Sequence, residues 1–220
     1  MAMSADTAQA LHGDGRLARG ERTRRAVAEA LIALLEEGEV RPTARRIAER
    51  AGVSLRLVFH HFADLEAVLR AAVAIQEHRH WRPRLVPVDP TLRTEERVRV
   101  VVRQRSGVYG ATAAVRRATA LMVLESPTVA GEQARARAAL RRQLQTAFAP
   151  ELGRLSPTRA TRALDALDAA TSWETWDHLR ALGRTEAACR RTMTDLAGAA
   201  LHLGDAGGAR TAQQEREVAR

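Results

Sequence analysis

The chain has 220 residues, of which 45% are hydrophobic and 28% charged, enough apolar material for a real core and too much for a mostly disordered polymer. It carries 35 basic residues against 26 acidic ones, a formal net charge of +9. Every basic residue is arginine, and the excess is uneven: residues 1–75 hold 11 Arg against 10 acids, 76–120 hold 10 against 4, and 121–220 hold 14 against 12. High pI therefore does not by itself point to nucleic acid, and any such reading must come from local pattern. Proline is sparse, no alternating β-branched run occurs, and Ala, Leu, Arg and Glu dominate, so the expected class is all-α. With aromatics at 3%, the core is expected to be Leu, Ala and Val.

Taken in order, residues 1–20 show no periodicity and scatter Gly13, Gly15 and Gly20 among polar residues, which reads as a disordered N-terminal arm. Arg16, Arg19, Arg22, Arg24 and Arg25 cluster where that arm meets the first helix, either as a reach toward DNA or as a solvated tail. A helix over 23–37 buries Val27, Leu31 and Leu34, with Gly38 as its C-cap. The stretch 43–62, TARRIAERAGVSLRLVFHHF, then reads as two short helices around a tight turn. Thr43 is suited to cap the first and Ser54 the second, while Gly52 falls where a helix-turn-helix needs positive φ. Val58 and Phe62 turn inward, leaving Leu55, Arg56, Leu57, Phe59, His60 and His61 on the outer side. A solvated helix does not ordinarily carry two leucines and an aromatic there. A helix entering a major groove uses them all: Arg for guanine O6 and N7, His for a base edge or phosphate, apolar atoms for thymine methyls.

Asp64 caps the next helix, which carries Val68, Ala71, Ala72 and Ile75 inward and is expected to end near Trp81, where Pro83, Pro87 and Pro90 follow. A helix from Thr94 presents Val98, Val101, Val102, Val108 and Tyr109 on one face, with Arg105 on that same face and Arg97, Arg99 and Arg103 over the remaining surface. A further helix is expected over 111–119, extending toward 125. Ser126-Pro127 and Ser156-Pro157 each read as N-cap plus N1 proline, opening long helices over 127–148 and 157–182. Gly183 stops the second. Thr185 caps a last helix over 185–203 with a stripe of Cys189, Met193, Leu196, Ala200 and Leu203, and residues 205–220 read as a disordered tail. The helices 157–182 and 185–203 are joined too closely to pack otherwise than antiparallel, and each has more apolar surface than one neighbour covers.

The helix-turn-helix with the following Asp64, Glu66 and Leu69 resembles the DNA-binding domain of the tetracycline-repressor (TetR) family of bacterial regulators, over about residues 20–72. The resemblance implies a three-helix bundle with a helix-turn-helix over 21–70 and a helical ligand-binding and dimerisation domain over 71–204. It further implies a homodimer through the last two long helices, facing a pseudo-palindromic operator on double-stranded DNA, and a repressor released by a small-molecule effector. DNA contacts are then expected from Thr43, Arg45, Ser54, Leu55, Arg56, Leu57, Phe59, His60 and His61. Two departures stand out: Leu65 takes the place of the family's phosphate-binding Lys, and Phe59 that of its usual Tyr.

One cysteine, Cys189, excludes an internal disulfide and reads as a small buried apolar residue. No apolar run approaches the roughly 18 residues of a membrane helix, and no signal pattern opens the chain, so a cytoplasmic, nucleoid-associated protein with no membrane partner is expected. No phosphate loop, nucleophile elbow, cofactor motif or ligand-spaced His/Cys cluster occurs, so no catalytic, cofactor or metal residue is assigned. The alternatives weighed are an architectural DNA binder without a ligand and a metal-dependent hydrolase. The expected ligand site gathers Trp81, Arg105, Tyr109, Phe148, Trp173 and Trp176. A buried guanidinium needs a carboxylate, so Arg105 calls either for an internal partner, with Glu125 and Glu174 as candidates, or for an apolar acidic ligand. Snorkelling of Arg105 to the surface over a plain core is the third reading.

Overall fold

The structure is a computed structural model that describes residues 5–123 and 125–201, with side chains from residue 18 onward. Every regular element among them is helical, as the composition requires. The elements are α1 (Ala5–Glu36), α2 (Ala44–Ala51), α3 (Leu55–His61), α4 (Leu65–Gln76), α5 (Thr94–Met122), α6 (Pro127–Ala147), α7 (Pro157–Ala170), α8 (Trp173–Ala181) and α9 over 186–201. Contacts divide the chain into two units, one of residues 1–79 with 114–129, the other of 80–113 with 130–220.

In the first unit, α1 lays Val27, Leu31, Leu34 and Leu35 against Ile47 and Ala48 of α2, Val58 of α3, and Val68, Leu69 and Ala72 of α4. Each such side chain removed from water contributes roughly 1.5–3 kcal/mol. Val115 joins this core, with Ala114, Ala118 and Met122 packed at its margin. The last turns of α5 therefore pack with the N-terminal helices.

In the second unit, Val98, Val101, Val102, Val108 and Tyr109 of α5 pack with Leu144 and Ala147 of α6, Leu164 and Leu167 of α7, Trp176 of α8, and Cys189, Met193, Ala197 and Ala200 of α9. Cys189 is fully buried, as a small apolar residue would be.

Several boundaries differ from those read in the sequence. The arm expected over 1–20 is helical from Ala5, because Arg16, Leu17, Ala18 and Arg19 are good helix formers and α1 extends the turns already anchored in the core. The helix expected to end near Trp81 passes through a π turn, Glu77–Trp81, and continues over Arg82–Arg84. The widened register lets the chain carry Pro83 before it stops. The separate helices expected over 94–109 and 111–119 are one helix, since neither Gly107 nor Gly110 breaks an element packed along both sides. Conversely, the helix expected over 157–182 breaks at Thr171–Ser172, where the Ser172 hydroxyl accepts the Thr175 N–H at 3.1 Å and starts α8. Ser126 caps α6 through its hydroxyl, 3.2 Å from the Val129 nitrogen, whereas Ser156 makes no side-chain cap. The tail expected over 205–220 lies outside the described residues, as does Leu203.

Candidate functional site

The helix-turn-helix is held in shape by its own short polar residues. Thr43 accepts the Arg46 N–H at 3.2 Å, Ser54 accepts the Leu57 N–H at 3.2 Å, and Asp64 accepts the Ala67 N–H at 2.7 Å. Three consecutive helices thus start on a side-chain cap. Gly52 adopts φ 67° and ψ 31°, the left-handed conformation that turns the chain sharply from α2 to α3, and its N–H returns to the carbonyls of Ala48 and Glu49. Val58 and Phe62 anchor α3 in the core at 1% and 2% exposure.

The outward face is narrower than the sequence suggests. Arg56, Phe59 and His60 are exposed, Leu57 and His61 are half-buried, and Leu55 packs against the core instead of facing out. The reason is helix rotation: with Val58 as the inner residue, Leu55 at i−3 shares its face. Phe59 and Leu65 are the large hydrophobic residues of this motif left in solvent, at 51% and 39% exposure.

Charge is sorted around this face. Arg46 is 3.4 Å from Glu39 and Arg50 2.5 Å from Glu37, so two of the three α2 arginines are neutralised. Arg24 donates to the His61 carbonyl and stacks 4.6 Å above the Phe62 ring, which caps the C-terminus of α3. Arg45 and Arg56 remain exposed and unpaired among the described residues. A face with one arginine at the entry of α2 and a second on α3 suits one anchoring and one reading contact to a polyanion.

In the second unit, the aromatic residues expected to line a ligand site separate into three groups. Tyr109, Trp173 and Trp176 converge: Tyr109 lies edge-on to Trp173 at 5.9 Å, and Trp173 stacks on Trp176 at 5.3 Å. Phe148 is buried instead beneath the Arg97 guanidinium, 5.6 Å from its ring centre. Trp81 is half-buried against the same core.

Arg105 is fully buried and internally paired, so neither snorkelling nor an acidic ligand is needed to explain it. Its Nε donates to Gln143 at 3.2 Å, Nη1 to the Thr171 hydroxyl at 2.6 Å, and Nη2 to the Leu140 carbonyl at 2.5 Å. Its carboxylate partner is Asp168 at 3.6 Å. Glu174 pairs instead with Arg137 at 2.8 Å, and no ion pair joins Glu125 to Arg105 among the described residues. Burial pulls the guanidinium pKa below its ordinary value, with Tyr109 and Asp168 opposing it. Tyr109 donates to the Thr171 carbonyl at 3.0 Å. Arg105 and Tyr109, four residues apart on α5, thus satisfy polar groups at the end of α7 where the helix breaks. The sequence carries a signal for Asp168, which sits four residues after Leu164 on the flank of the buried stripe, but its i, i+3 spacing from Asp165 fits a solvated surface pair equally well.

Arg97 was also expected at the surface and is 4% exposed. It donates to Glu151, to the Ala147 carbonyl, and through Nε to the Leu92 carbonyl at 3.1 Å. Burial raises the Glu151 carboxyl, but hydrogen bonds from Arg97 and Thr94 outweigh it and hold that pKa below the ordinary range.

Among the described residues no group of three or more His, Cys, Asp or Glu side chains is placed to hold a metal ion, and no helix is long and apolar enough to cross a membrane. No protein-family model matches the chain, and no curated protein matches it. The fold is similar to the crystal structure of a transcriptional regulator from Rhodococcus sp. Rha1, with a TM-score of 0.65 and 20% identity over 83% of this chain and 97% of that one. At that identity the likeness is one of fold.

Proposed function

We propose that the chain is a sequence-specific DNA-binding transcriptional regulator of the tetracycline-repressor type, acting as a homodimer on a pseudo-palindromic operator. The observation that carries this reading is the recognition helix α3. It is capped at both ends, anchored by Val58 and Phe62, and presents Arg56, Phe59 and His60 outward beside an unpaired Arg45. The similar fold of a protein described as a transcriptional regulator supports the same reading. In this arrangement Arg45 anchors to phosphate and Arg56 reads a base edge, with the exposed ring of Phe59 against thymine methyls or deoxyribose. The Thr43 and Ser54 oxygens serve as caps, and their hydroxyl protons remain for phosphate oxygens.

The regulator is read as a repressor released by a small molecule bound in the unit that holds the aromatic cluster. Release requires an effector that binds better to a dimer whose recognition helices no longer match major grooves about 34–36 Å apart. Three helical segments, α5, α6 at its first turn and the one from α4 through the π turn, contribute residues to both units.

An architectural binder without sequence preference would carry a strongly basic helix-turn-helix, whereas Glu37 and Glu39 neutralise two arginines of α2. The test is selection of bound duplexes from a random pool, followed by fluorescence anisotropy on the selected and scrambled sequences. An inverted repeat bound about 1,000-fold or more tighter than the scrambled duplex is expected. Equal affinity for both would leave the architectural reading standing.

A further inference from the structure

The recognition helix α3 is only two turns long, so little within it fixes its orientation. Ser54 caps its start, and Val58 seats its inner face in the core. The His61 carbonyl ends the helix and has no partner inside it. Arg24 of α1, 37 positions away, supplies one: its Nη1 donates to that carbonyl, and its guanidinium carbon lies 4.6 Å from the centre of the Phe62 ring. The ring is itself held in the core, so the guanidinium rests on a fixed platform. One turn earlier on α1, Gly20 brings bare backbone to the His61 ring, where a Cβ would stand 3.6 Å from Cε1. Gly20 and Arg24 thus form one seat on α1 for the end of α3. The guanidinium also places a positive charge at the negative end of that helix.

We infer that Arg24 is a positioning residue for DNA recognition: it acts through α3 and not on DNA, setting the roll of that helix and with it the reach of Arg56. The inference rests on the reading of α3 as the recognition helix. It gives Arg24 a role other than the two open to the sequence, a reach toward DNA and a solvated tail. The leverage is geometric. A roll of about 10° about the helix axis moves a side-chain tip, about 6 Å out, by about 1 Å. That exceeds the roughly 0.5 Å window of a good hydrogen bond, so a two-pronged contact to a guanine edge is lost. Attraction to phosphate survives such a shift, because it depends on charge and only weakly on angle. Loss of Arg24 therefore removes preference for sequence before it removes affinity for DNA.

The test is fluorescence anisotropy of the full chain and its variants on the selected inverted repeat and its scrambled duplex, over a salt series, with the active fraction counted by stoichiometric titration. Arg24→Met keeps an unbranched side chain over the ring and removes the donor and the charge. It should lower the ratio of specific to scrambled affinity about ten-fold and leave the salt slope on the scrambled duplex unchanged. Arg24→Lys keeps a cationic donor without the flat stack and should lower the ratio about three-fold. In an Arg56→Ala background the effect of Arg24→Met should shrink below about three-fold, because the contact it positions is already gone. A purely structural role would lower the active fraction and leave the ratio as in the parent. An unchanged ratio overturns the inference. So does a salt slope lower by about one unit, which would make Arg24 a phosphate contact, or an undiminished loss once Arg56 is removed. If Arg24→Met does not fold, Arg24→Lys decides by the same ratio. A parent chain without preference for the selected repeat removes the reading of α3 and this inference with it, whereas a preference that survives Arg24→Met removes the role of Arg24 alone.

Discussion

Arginine is the only strong cation this chain uses, and its neighbours decide what each copy does. Arg24, Arg46 and Arg50 lie in or beside the helix-turn-helix and are already held by the His61 carbonyl, Glu39 and Glu37. Arg45 and Arg56 are not, and they carry the first prediction. Arg56→Ala should cost about 1–3 kcal/mol on the selected operator and relax preference at one base pair per half-site. Arg45→Ala should weaken all sequences alike and lower the salt slope by about one unit. Anisotropy over a salt series on specific and scrambled duplexes checks both, and an equal loss on both duplexes for Arg56→Ala would remove its reading role. Arg105 belongs to the opposite kind. Arg105→Met should destabilise the fold by about 1.5–3 kcal/mol, because it strips the buried Thr171 hydroxyl and the half-buried Leu140 carbonyl of a charged donor. Asp168→Asn should cost about 1 kcal/mol, since Asp168 is 32% exposed and Arg105 keeps its neutral partners. Denaturant melts of the two variants give the order, and a milder Arg105→Met would refute it.

At the scale of elements, two buried arginines of α5 tie neighbouring helix ends to it. Arg105 holds the break between α7 and α8, which places Trp173 and Trp176 at the start of a new helix instead of along an old one. Arg97 holds the end of α6 through the Ala147 carbonyl and the following turn through Glu151. The second tie depends on pH. The folded Glu151 carboxyl titrates below its unfolded value of about 4.3, so its contribution is present above that pH and is lost as pH falls through the folded value. Glu151→Gln should cost about 1.5–3 kcal/mol at pH 7. The gap to the parent chain should close as the pH is lowered below about 4. Thermal melts between pH 7 and 3 measure it, and a gap independent of pH would show that the carboxylate charge is not what holds Arg97.

For the whole molecule, the proposed assembly is a homodimer built from the C-terminal helices. Cys189, Met193, Ala197 and Ala200 turn α9 inward, yet Leu196 on the same helix is 47% exposed and Leu182 just before it 57%. Both are suited to a two-fold contact with a second copy. Sedimentation at micromolar concentration should show a dimer, and Leu182→Glu with Leu196→Glu should shift it to monomer and lower operator affinity through lost bivalence. A parent chain that sediments as a monomer would sink the assembly. On the proposed reading the net charge of +9 adds little to DNA affinity, because Arg24, Arg46 and Arg50 in and beside the helix-turn-helix are already paired.

The motif around Thr43–Phe62 was legible in the chain alone because its determinants are local. A cap hydroxyl, a left-handed glycine and an inner Val58–Phe62 pair each act within one turn, so residue type and spacing determine them. The all-α class followed from composition for the same reason. What only the tertiary structure decided was the fate of groups whose partners are distant in sequence. Arg105 looked like an unpaired charge awaiting an acid, and its partners come from positions 140, 143, 168 and 171. Arg97 looked solvated and is buried against Glu151, and Leu55 looked exposed until the packing of Val58 set the rotation of α3. The break at Thr171 was hard to read for a related reason: alanine-rich sequence continues a helix by propensity, and the Ser172 cap is joined by Arg105 and Tyr109 reaching the Thr171 groups from another helix. Helical periodicity reports which side of an element is apolar, but the satisfaction of a buried polar group is a property of several elements at once, and no single stretch of sequence contains it.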